Sequence, residues 1–148
     1  MLIGQYNHTL DDKSRVTVPS AYRDSLAKGA IILQGLDKNL MVMTSSFFDT
    51  IYNRINSMNL ADPDVRNLKR VFYSNAFPIE LDKAGRIMIP QKLRTFLGSA
   101  NELTLVGQGS YFEIWNAEVW GKLSESLEDA DQNAIRFKAL DLSVQSDG

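Results

Sequence analysis

The sequence has no cysteine among its 148 residues, and this absence excludes disulfides, thiolate metal sites and cysteine nucleophiles. Histidine occurs once, as His8, and the residues around it do not have the spacing of a zinc site or a catalytic triad. No apolar run approaches the length of a membrane span, and the first residues lack the basic start and apolar stretch of a signal peptide. We therefore expect a cytoplasmic protein with no metal, no cofactor and no membrane partner.

Positive charge is scarce only in the last third of the chain. The net charge is -2, but residues 1–100 carry 13 Lys and Arg against nine Asp and Glu, whereas residues 101–148 carry three against nine. Counterion release depends on the charges that lie close to phosphate, so an acidic chain can still present a cationic face. The composition is therefore compatible with nucleic-acid binding by residues 1–100.

One ten-residue pattern occurs twice. The run LDDKSRVTVP covers Leu10–Pro19, and LDKAGRIMIP covers Leu81–Pro90, 71 positions further on. Both place Asp four residues before Arg, continue with alternating apolar residues and close on Pro. The gap-free register extends further and places the following pairs together: Tyr22-Arg23 with Leu93-Arg94, Ile32–Gln34 with Leu103–Leu105, and Leu40-Met41 with Tyr111-Phe112. The chain is therefore an internal duplication.

The duplication sets the predicted domain organisation. Residues 1–75 form a first repeat with a helical spacer, residues 76–142 form a second repeat with a C-terminal helix, and residues 143–148 form a flexible tail. A chain of 148 residues that is 44% hydrophobic can bury one ordinary core or two very small ones that share an interface. We expect the two repeats to pack together, since each would be marginal alone.

The pattern itself predicts two short strands around a tight turn. In the second copy the strands are residues 80–82 and 86–89, where Gly85 supplies a positive φ and Asp82 accepts backbone N–H groups. Strand alternation places Ile87 and Ile89 on the core face and Arg86 on the opposite face. The first copy has Val16 and Val18 inward and Arg15 outward in the same way.

Further elements follow each copy. Pro19 and Pro90 suit the start of short helices at residues 20–26 and 91–97. Two more strands complete each unit, at residues 31–34 and 40–44 and at residues 102–106 and 111–115. Longer helices are predicted after Ser45 or Ser46, which could cap the first, after Asp62-Pro63 and after Asn116.

The doubled run, followed each time by a Leu-Arg or Tyr-Arg helix, resembles the AbrB/SpoVT looped-hinge class of bacterial DNA-binding domains. Two such units in one chain resemble the MraZ family of transcriptional regulators, over residues 1–142. The resemblance implies an α+β fold: a duplicated swapped-hairpin AbrB-like β-barrel, a pseudo-dimer in one chain, with flanking helices. One departure is visible, because Ser14 stands in the first copy where Gly85 stands in the second.

The resemblance also implies a function and partners. Members bind direct repeats of double-stranded DNA at the promoter of the division and cell-wall gene cluster, including their own gene, and repress it. They assemble as homo-oligomeric rings, so we expect a nucleoid-associated protein without a small-molecule substrate. None of these properties follows from periodicity alone.

The candidate site residues have structural alternatives. Arg15 and Arg86 could read base edges with a bidentate fork, or could only form ion pairs that stiffen the turns. Four other basic residues could bind phosphate or could be ordinary solvated side chains: Lys13, Lys83, Arg23 and Arg94. We assign a turn-shaping role to three residues: Asp11, Asp82 and Gly85. The basic helix face of Arg66, Lys69 and Arg70 is either solvated or an accessory contact.

Other function classes have less support. Gly107 and Gly109 form a glycine pair between two strands, without the helix N-terminus that a phosphate cradle requires. Asp11-Asp12 lies beside basic residues, which lower a carboxyl pKa and disfavour general-acid catalysis. We therefore expect no enzyme. A self-assembling scaffold protein without specific DNA binding remains the alternative, and the duplication argues against a single-repeat regulator or antitoxin.

Overall fold

A computed structural model of the chain describes residues 1–145, so residues 146–148 of the predicted tail lie outside the described residues. The described chain is mixed α+β, as the sequence predicts. It divides into two compact units, Met1–Ala117 and Glu118–Gly148. No helix within the described range is both long and apolar enough to cross a membrane.

The first unit contains all the named strands of the described chain. They are β1 (Gln5–Thr9), β2 (Arg15–Thr17), β3 (Ala30–Gln34), β4 (Leu40–Thr44), β5 (Phe77–Ile79), β6 (Arg86–Met88), β7 (Glu102–Gly107) and β8 (Tyr111–Asn116). The helices are α1 (Ser20–Leu26), α2 (Ser45–Asn56), α3 (Pro63–Ser74), α4 (Gln91–Leu97), α5 (Ala117–Leu127) and α6 (Ala130–Arg136). The predicted C-terminal helix is therefore two helices, and the Asp129 side chain caps the second by accepting from Gln132 N–H.

The strands form one antiparallel six-stranded sheet and one two-stranded ribbon. The sheet order is β1-β7-β8-β4-β3-β5, and the ribbon pairs β2 with β6. The first strand of each repeat pairs with the third strand of the other, β1 with β7 and β5 with β3. The fourth strands, β4 and β8, pair at the centre. Backbone hydrogen bonds therefore join the two repeats at four strand pairs: three in the sheet and one in the ribbon.

Side-chain alternation gives the sheet a core on each face. On one face the sheet packs against the ribbon and the helices α1 and α4, and the buried residues there include Val16, Val18, Ile87, Ile89, Tyr22, Leu26, Leu93 and Leu97. On the other face, Leu33, Met41 and Met43 pack against α2 and α3 through Ile55 and Phe72. The predicted inward residues of both copies are confirmed, since Val16, Val18, Ile87 and Ile89 are at most 1% exposed.

Local signals account for the helix starts. Pro19 and Pro90 are the residues immediately before α1 and α4. Their rings restrict φ to values compatible with a helix start, here -52° and -56°. Asp62 caps α3 by accepting from Asp64 N–H, as predicted. The cap predicted for α2 is wrong, because the hydroxyl of Thr44, not of Ser45 or Ser46, accepts from Phe47 N–H at 3.1 Å. Thr44 ends β4, so strand and helix follow each other without a loop.

Two other predictions are wrong. Residues 80–82 are not a strand. The strand before the second turn is β5 at Phe77–Ile79. It does not pair with β6 across the turn: β5 pairs with β3, and β6 pairs with β2. The gap-free register holds through β3 and β7, where Ile32 and Leu103 both lie in the first core, but it fails at the strands that follow them. Leu40 belongs to the first core, whereas its assigned partner Tyr111 packs against the second, because residues 35–39 and residues 108–110 are connections of different length.

Candidate nucleic-acid interface

The two arginines of the duplicated pattern lie on one face of the ribbon. In the register of β2 and β6, Arg15 is opposite Met88 and Arg86 is opposite Thr17. The intervening pair, Val16 and Ile87, is buried. Diagonal neighbours on one face of an antiparallel pair are roughly 7–8 Å apart. The ribbon therefore presents two guanidinium groups from different repeats within one short stretch of surface.

Each turn before the arginine is held by its aspartate. Asp11 Oδ1 accepts from the backbone N–H of Lys13 at 2.9 Å and of Arg15 at 2.8 Å. Asp82 Oδ1 accepts from the backbone N–H of Ala84 and of Arg86, both at 2.9 Å. An Asp side chain that accepts N–H groups further along its own loop fixes the turn in the way an Asx-turn does. This geometry is what a turn-shaping role for the two aspartates requires.

The two turns have the same backbone conformation despite their different sequences. Gly85 has φ 77° and Ser14 has φ 62°, so both residues are left-handed. In each turn this residue donates its backbone N–H to the aspartate carbonyl at 3.0 Å. The left-handed conformation costs an L-residue roughly 1–2 kcal/mol, which Ser14 bears and Gly85 does not. The substitution of Ser for Gly therefore leaves the shape of the first turn unchanged.

The arginine side chains form the predicted ion pairs and keep part of their donor set. Arg15 Nε donates to Asp11 Oδ2, and Arg86 Nε donates to Asp82 Oδ2, both at 2.8 Å. The side chains of Arg15 and Arg86 are 27% and 32% exposed. Among the hydrogen bonds of residues 1–145, none uses a terminal guanidinium nitrogen of either arginine. The ion pair and a contact to DNA are therefore compatible, since the aspartate occupies only one side of the fork.

One ion pair crosses between the repeats. Arg86 Nη1 lies 3.9 Å from Asp11 Oδ2, so Asp11 is close to both arginines. This separation is at the outer limit of an ion pair and is partly exposed to solvent. Such a pair adds little stability. The two guanidinium groups share one side of the ribbon because of the strand register, not because of this pair.

The turns also lower the pKa of their aspartate carboxyl groups. The backbone N–H of Arg15 is the main cause that holds the pKa of Asp11 below its ordinary value of 3.8, and the Arg15 side chain acts in the same direction against partial desolvation. The backbone N–H and side chain of Arg86 lower the pKa of Asp82 in the same way. Both carboxylates are therefore charged at neutral pH and act as acceptors.

We predict that the two aspartates stabilise the protein fully above their ordinary pKa and progressively less below it. A carboxyl group whose pKa is lower in the folded state contributes stability above its unfolded pKa, and that contribution is lost as pH falls through the folded value. The difference in unfolding free energy between wild type and Asp11→Asn/Asp82→Asn is therefore constant from about pH 8 to 5 and shrinks below about pH 4. Urea unfolding at fixed protein concentration measures it. The control is Asp49→Asn, on the exposed side of α2; a difference that stays constant into acid would contradict the prediction.

The four other predicted phosphate contacts divide into two kinds. Lys13 and Lys83 are exposed at the tips of the two turns. Arg23 and Arg94 are half-buried, and their Nε atoms donate to backbone carbonyls, Arg23 to Val18 at 2.9 Å and Arg94 to Ile89 at 3.1 Å. The structure thus brings the lysines to the ends of the ribbon, while the arginines of the helices are already engaged with the backbone.

The basic helix face is also partly engaged. Arg66 Nη1 donates to the carbonyls of Leu60 and Ala61, at 3.1 and 3.0 Å, and so closes the loop before α3. Arg70 Nη1 donates to Asn67 Oδ1 at 2.8 Å. The helix α3 packs on the face of the sheet opposite the ribbon. An accessory contact there would therefore be separate from the ribbon surface.

Two residues on the ribbon face were not among the predicted site residues. Thr17 lies opposite Arg86, and Met88, which is 63% exposed, lies opposite Arg15. Strand alternation marks both as outward, but a hydroxyl and a thioether carry no charge signal. Apolar side chains contact the thymine methyl group and hydroxyls bond either base pair, so both residues fit a surface that reads bases.

Within residues 1–145 no group of three or more His, Cys, Asp or Glu residues could hold a metal ion.

The comparisons with known proteins agree with the doubled pattern. The family model described as "MraZ protein, putative antitoxin-like" matches residues 1–71 and again residues 72–141. A protein of Herpetosiphon aurantiacus named "Transcriptional regulator MraZ" is 36% identical over 129 residues, which cover 87% of this chain and 90% of that protein. A protein of Roseiflexus castenholzii with the same name is 34% identical over 137 residues, 93% of this chain and 94% of that protein. These matches confirm the resemblance on which the expectations from sequence depend.

Proposed function

Because this chain belongs to the MraZ family, we propose that it is a sequence-specific DNA-binding regulator of transcription that reads its operator with Arg15 and Arg86. The observation that carries the proposal is the ribbon β2–β6, on which both arginines lie on one face while their Nε atoms are fixed by Asp11 and Asp82. The relatives are named as transcriptional regulators, which supports the same conclusion.

The two-stranded form of the ribbon supports a major-groove contact. The major groove admits a two-stranded β-ribbon, and it carries a distinct donor and acceptor pattern for each base pair. Arginine is the commonest side chain to contact guanine, through a bidentate pair of donors. With Nε bound to aspartate, the terminal nitrogens of each arginine remain to make that contact. Lys13 and Lys83, at the turn tips, are positioned to bind phosphate on either side and add affinity without specificity.

The exchange of strands between the repeats supports the proposed architecture. We propose a swapped-hairpin β-barrel of the AbrB type, with residues 1–75 and 76–142 as its two halves, in which one chain takes the place of a dimer. The ribbon strands come one from each repeat, so a single protomer offers a nearly two-fold reading surface. Asp11, Asp82 and Gly85 shape the turns that hold it.

Several protomers acting together would provide the affinity that one lacks. A ribbon with two arginines is a small footprint, and linked copies that engage repeated sites gain affinity through effective concentration. We propose a ring-shaped homo-oligomer on direct repeats. Exposed apolar residues in the second unit support self-association, namely Ile135, Phe137, Leu140, Leu142 and Val144. The regulated promoter would be that of the division and cell-wall gene cluster, including the gene of this protein, with repression as the effect and the cytoplasmic nucleoid as the location.

An unbiased binding-site selection with the purified protein tests the proposal. The expected outcome is enrichment of a short G-containing element that occurs more than once per selected duplex, and binding that is tighter for two elements than for one. Mass photometry on the same protein, over a concentration series, is expected to give one closed multiple of the protomer mass. A selection without any enriched element, together with stable multimers, would instead support the scaffold alternative, which the exposed apolar residues of the second unit favour.

A further inference from the structure

The helix of the first repeat contacts the turn of the second. A Cβ atom built on Gly85 would lie 2.4 Å from both Nε and Cζ of Arg23, and 2.9 Å from Nη1. Only a glycine permits this approach, since atoms without a covalent bond do not come so close. The guanidinium of Arg23, which belongs to α1, therefore rests directly against the backbone of the residue that precedes Arg86.

Backbone hydrogen bonds complete the contact. Arg23 Nε donates to the carbonyl of Val18 at 2.9 Å, and the backbone N–H of Val18 donates to the carbonyl of Gly85 at 2.9 Å. Val18 is fully buried, so neither of its backbone groups has water as a ready alternative. Arg23, Val18 and Gly85 thus form a continuous link from one repeat to the other, and we refer to these three residues as the Gly85 brace.

The opposite turn has the same hydrogen bonds but a different fit. The backbone N–H of Ile89 donates to the carbonyl of Ser14 at 2.9 Å, and Arg94 Nε donates to the carbonyl of Ile89 at 3.1 Å. Ser14 already carries the Cβ that Gly85 lacks, and its φ is also left-handed. Arg94 therefore cannot rest on Ser14 in the way that Arg23 rests on Gly85. Because the first copy has Ser14 in place of glycine, only the Gly85 turn allows this close contact with an arginine of the neighbouring helix.

We infer that Arg23 is a positioning residue, which holds the Gly85 turn and through it the side chain of Arg86, rather than a contact to phosphate. The inference rests on the proposed function for the part that concerns DNA. Its physical basis is independent of DNA, because the Gly85 brace is complete in the protein alone. A residue that orients another must hold it within a fraction of an ångström of the productive geometry to be of use.

The two roles of Arg23 predict different salt dependence. A phosphate contact releases counterions on any duplex, so its loss reduces the salt slope by about one and weakens specific and non-specific binding alike. A positioning residue acts only through Arg86. Arg23→Ala is therefore expected to weaken specific binding about tenfold, while non-specific binding and its salt slope stay at the wild-type values.

A double-mutant cycle identifies the partner of Arg23. In an Arg86→Ala background, Arg23→Ala is expected to have almost no further effect on specific binding, whereas in an Arg15→Ala background it keeps its full effect. Gly85→Ala is expected to resemble Arg23→Ala, because the added Cβ displaces the guanidinium without removing its charge, while the left-handed φ strains the same turn. Ser14→Ala is the matched control, since it keeps the existing Cβ in the other turn and should leave binding unchanged.

Hydrogen exchange in the free protein separates this inference from the proposed function. The backbone N–H of Gly85 is bonded to the carbonyl of Asp82, and that of Arg86 to the Asp82 side chain. Arg23→Ala is expected to speed exchange at these two amides by severalfold and to leave Ser14 and Arg15 unaffected. Unchanged exchange at Gly85 and Arg86, or a salt slope reduced by about one on a non-specific duplex, would overturn the inference. Faster exchange at Gly85 and Arg86, in a protein that binds no specific DNA site, would refute the proposed function but would still support the Gly85 brace.

Discussion

Replacing Arg15 and Arg86 together with alanine is expected to abolish the preference for a selected operator over random DNA. A bidentate contact to a base is worth about 1–3 kcal/mol of discrimination, and the two arginines are the charged residues that share the ribbon face. Each single variant should lose roughly 5- to 150-fold in specific affinity, and the double variant should bind operator and random duplex equally. Fluorescence anisotropy on both duplexes, over a range of salt concentrations, measures the change.

Two controls make this expectation specific to the ribbon. Arg54→Ala removes an exposed arginine from α2, which packs on the other face of the sheet, and should alter neither affinity by more than a small factor. Arg15→Lys with Arg86→Lys retains both charges but not the bidentate fork, and should keep non-specific binding while losing discrimination. If the double alanine variant still prefers the operator, the ribbon is not the surface that reads the sequence.

Replacing Tyr22 with alanine is expected to be strongly destabilising for the first core. Tyr22 is fully buried, and its ring packs against Tyr6 and Phe112 with centroids 5.4 and 5.1 Å away. Its hydroxyl donates to the carbonyls of Ile3 and Gly4, at 2.9 and 3.0 Å. Truncation of a large buried aromatic costs about 3–5 kcal/mol, a large part of the 5–15 kcal/mol that a domain usually has.

The contributions of ring and hydroxyl can be separated. Tyr22→Phe leaves the ring in place and removes the donor, and should cost about 1 kcal/mol. Leu93→Ala is the comparison in the second repeat, where leucine takes the place of tyrosine at equal burial, and should cost about 2–5 kcal/mol with no loss of a hydrogen bond. Urea unfolding at one fixed protein concentration provides the three values. A cost for Tyr22→Ala no greater than that for Tyr22→Phe would show that the ring contributes little.

Strong local signals in the sequence were reliable guides to local structure. Alternation identified the buried residues Val16, Val18, Ile87 and Ile89, and the prolines marked the starts of α1 and α4 within a residue. The role of Asp11 could be proposed because an Asx-turn involves residues close in sequence. Each of these features is decided within about one turn of chain, which is the range over which propensity and periodicity act.

Pairing between distant residues could not be predicted in the same way. The bounds of the strand at Phe77–Ile79 are not fixed by any local pattern, because its partner β3 lies in the other repeat. The sequence does not distinguish the cap of α2 among three consecutive hydroxyl residues, and only the end of β4 selects Thr44 over Ser45 and Ser46. The approach of Arg23 to Gly85 could not be predicted either, since it depends on the packing of one repeat against the other.

The exchange of outer strands has a consequence for synthesis of the protein on the ribosome. The strand β1, at Gln5–Thr9, is made first, but its partner β7 is not complete until residue 107 has been added. The N-terminal half therefore emerges with an unpaired strand edge, and edges of this kind readily pair with other chains. Closure of the sheet must wait for most of the polypeptide, which makes folding slow for a chain of this size. A truncated product that ends in the helical spacer would carry β2 without its partner strand β6, and so would leave a second strand edge unpaired.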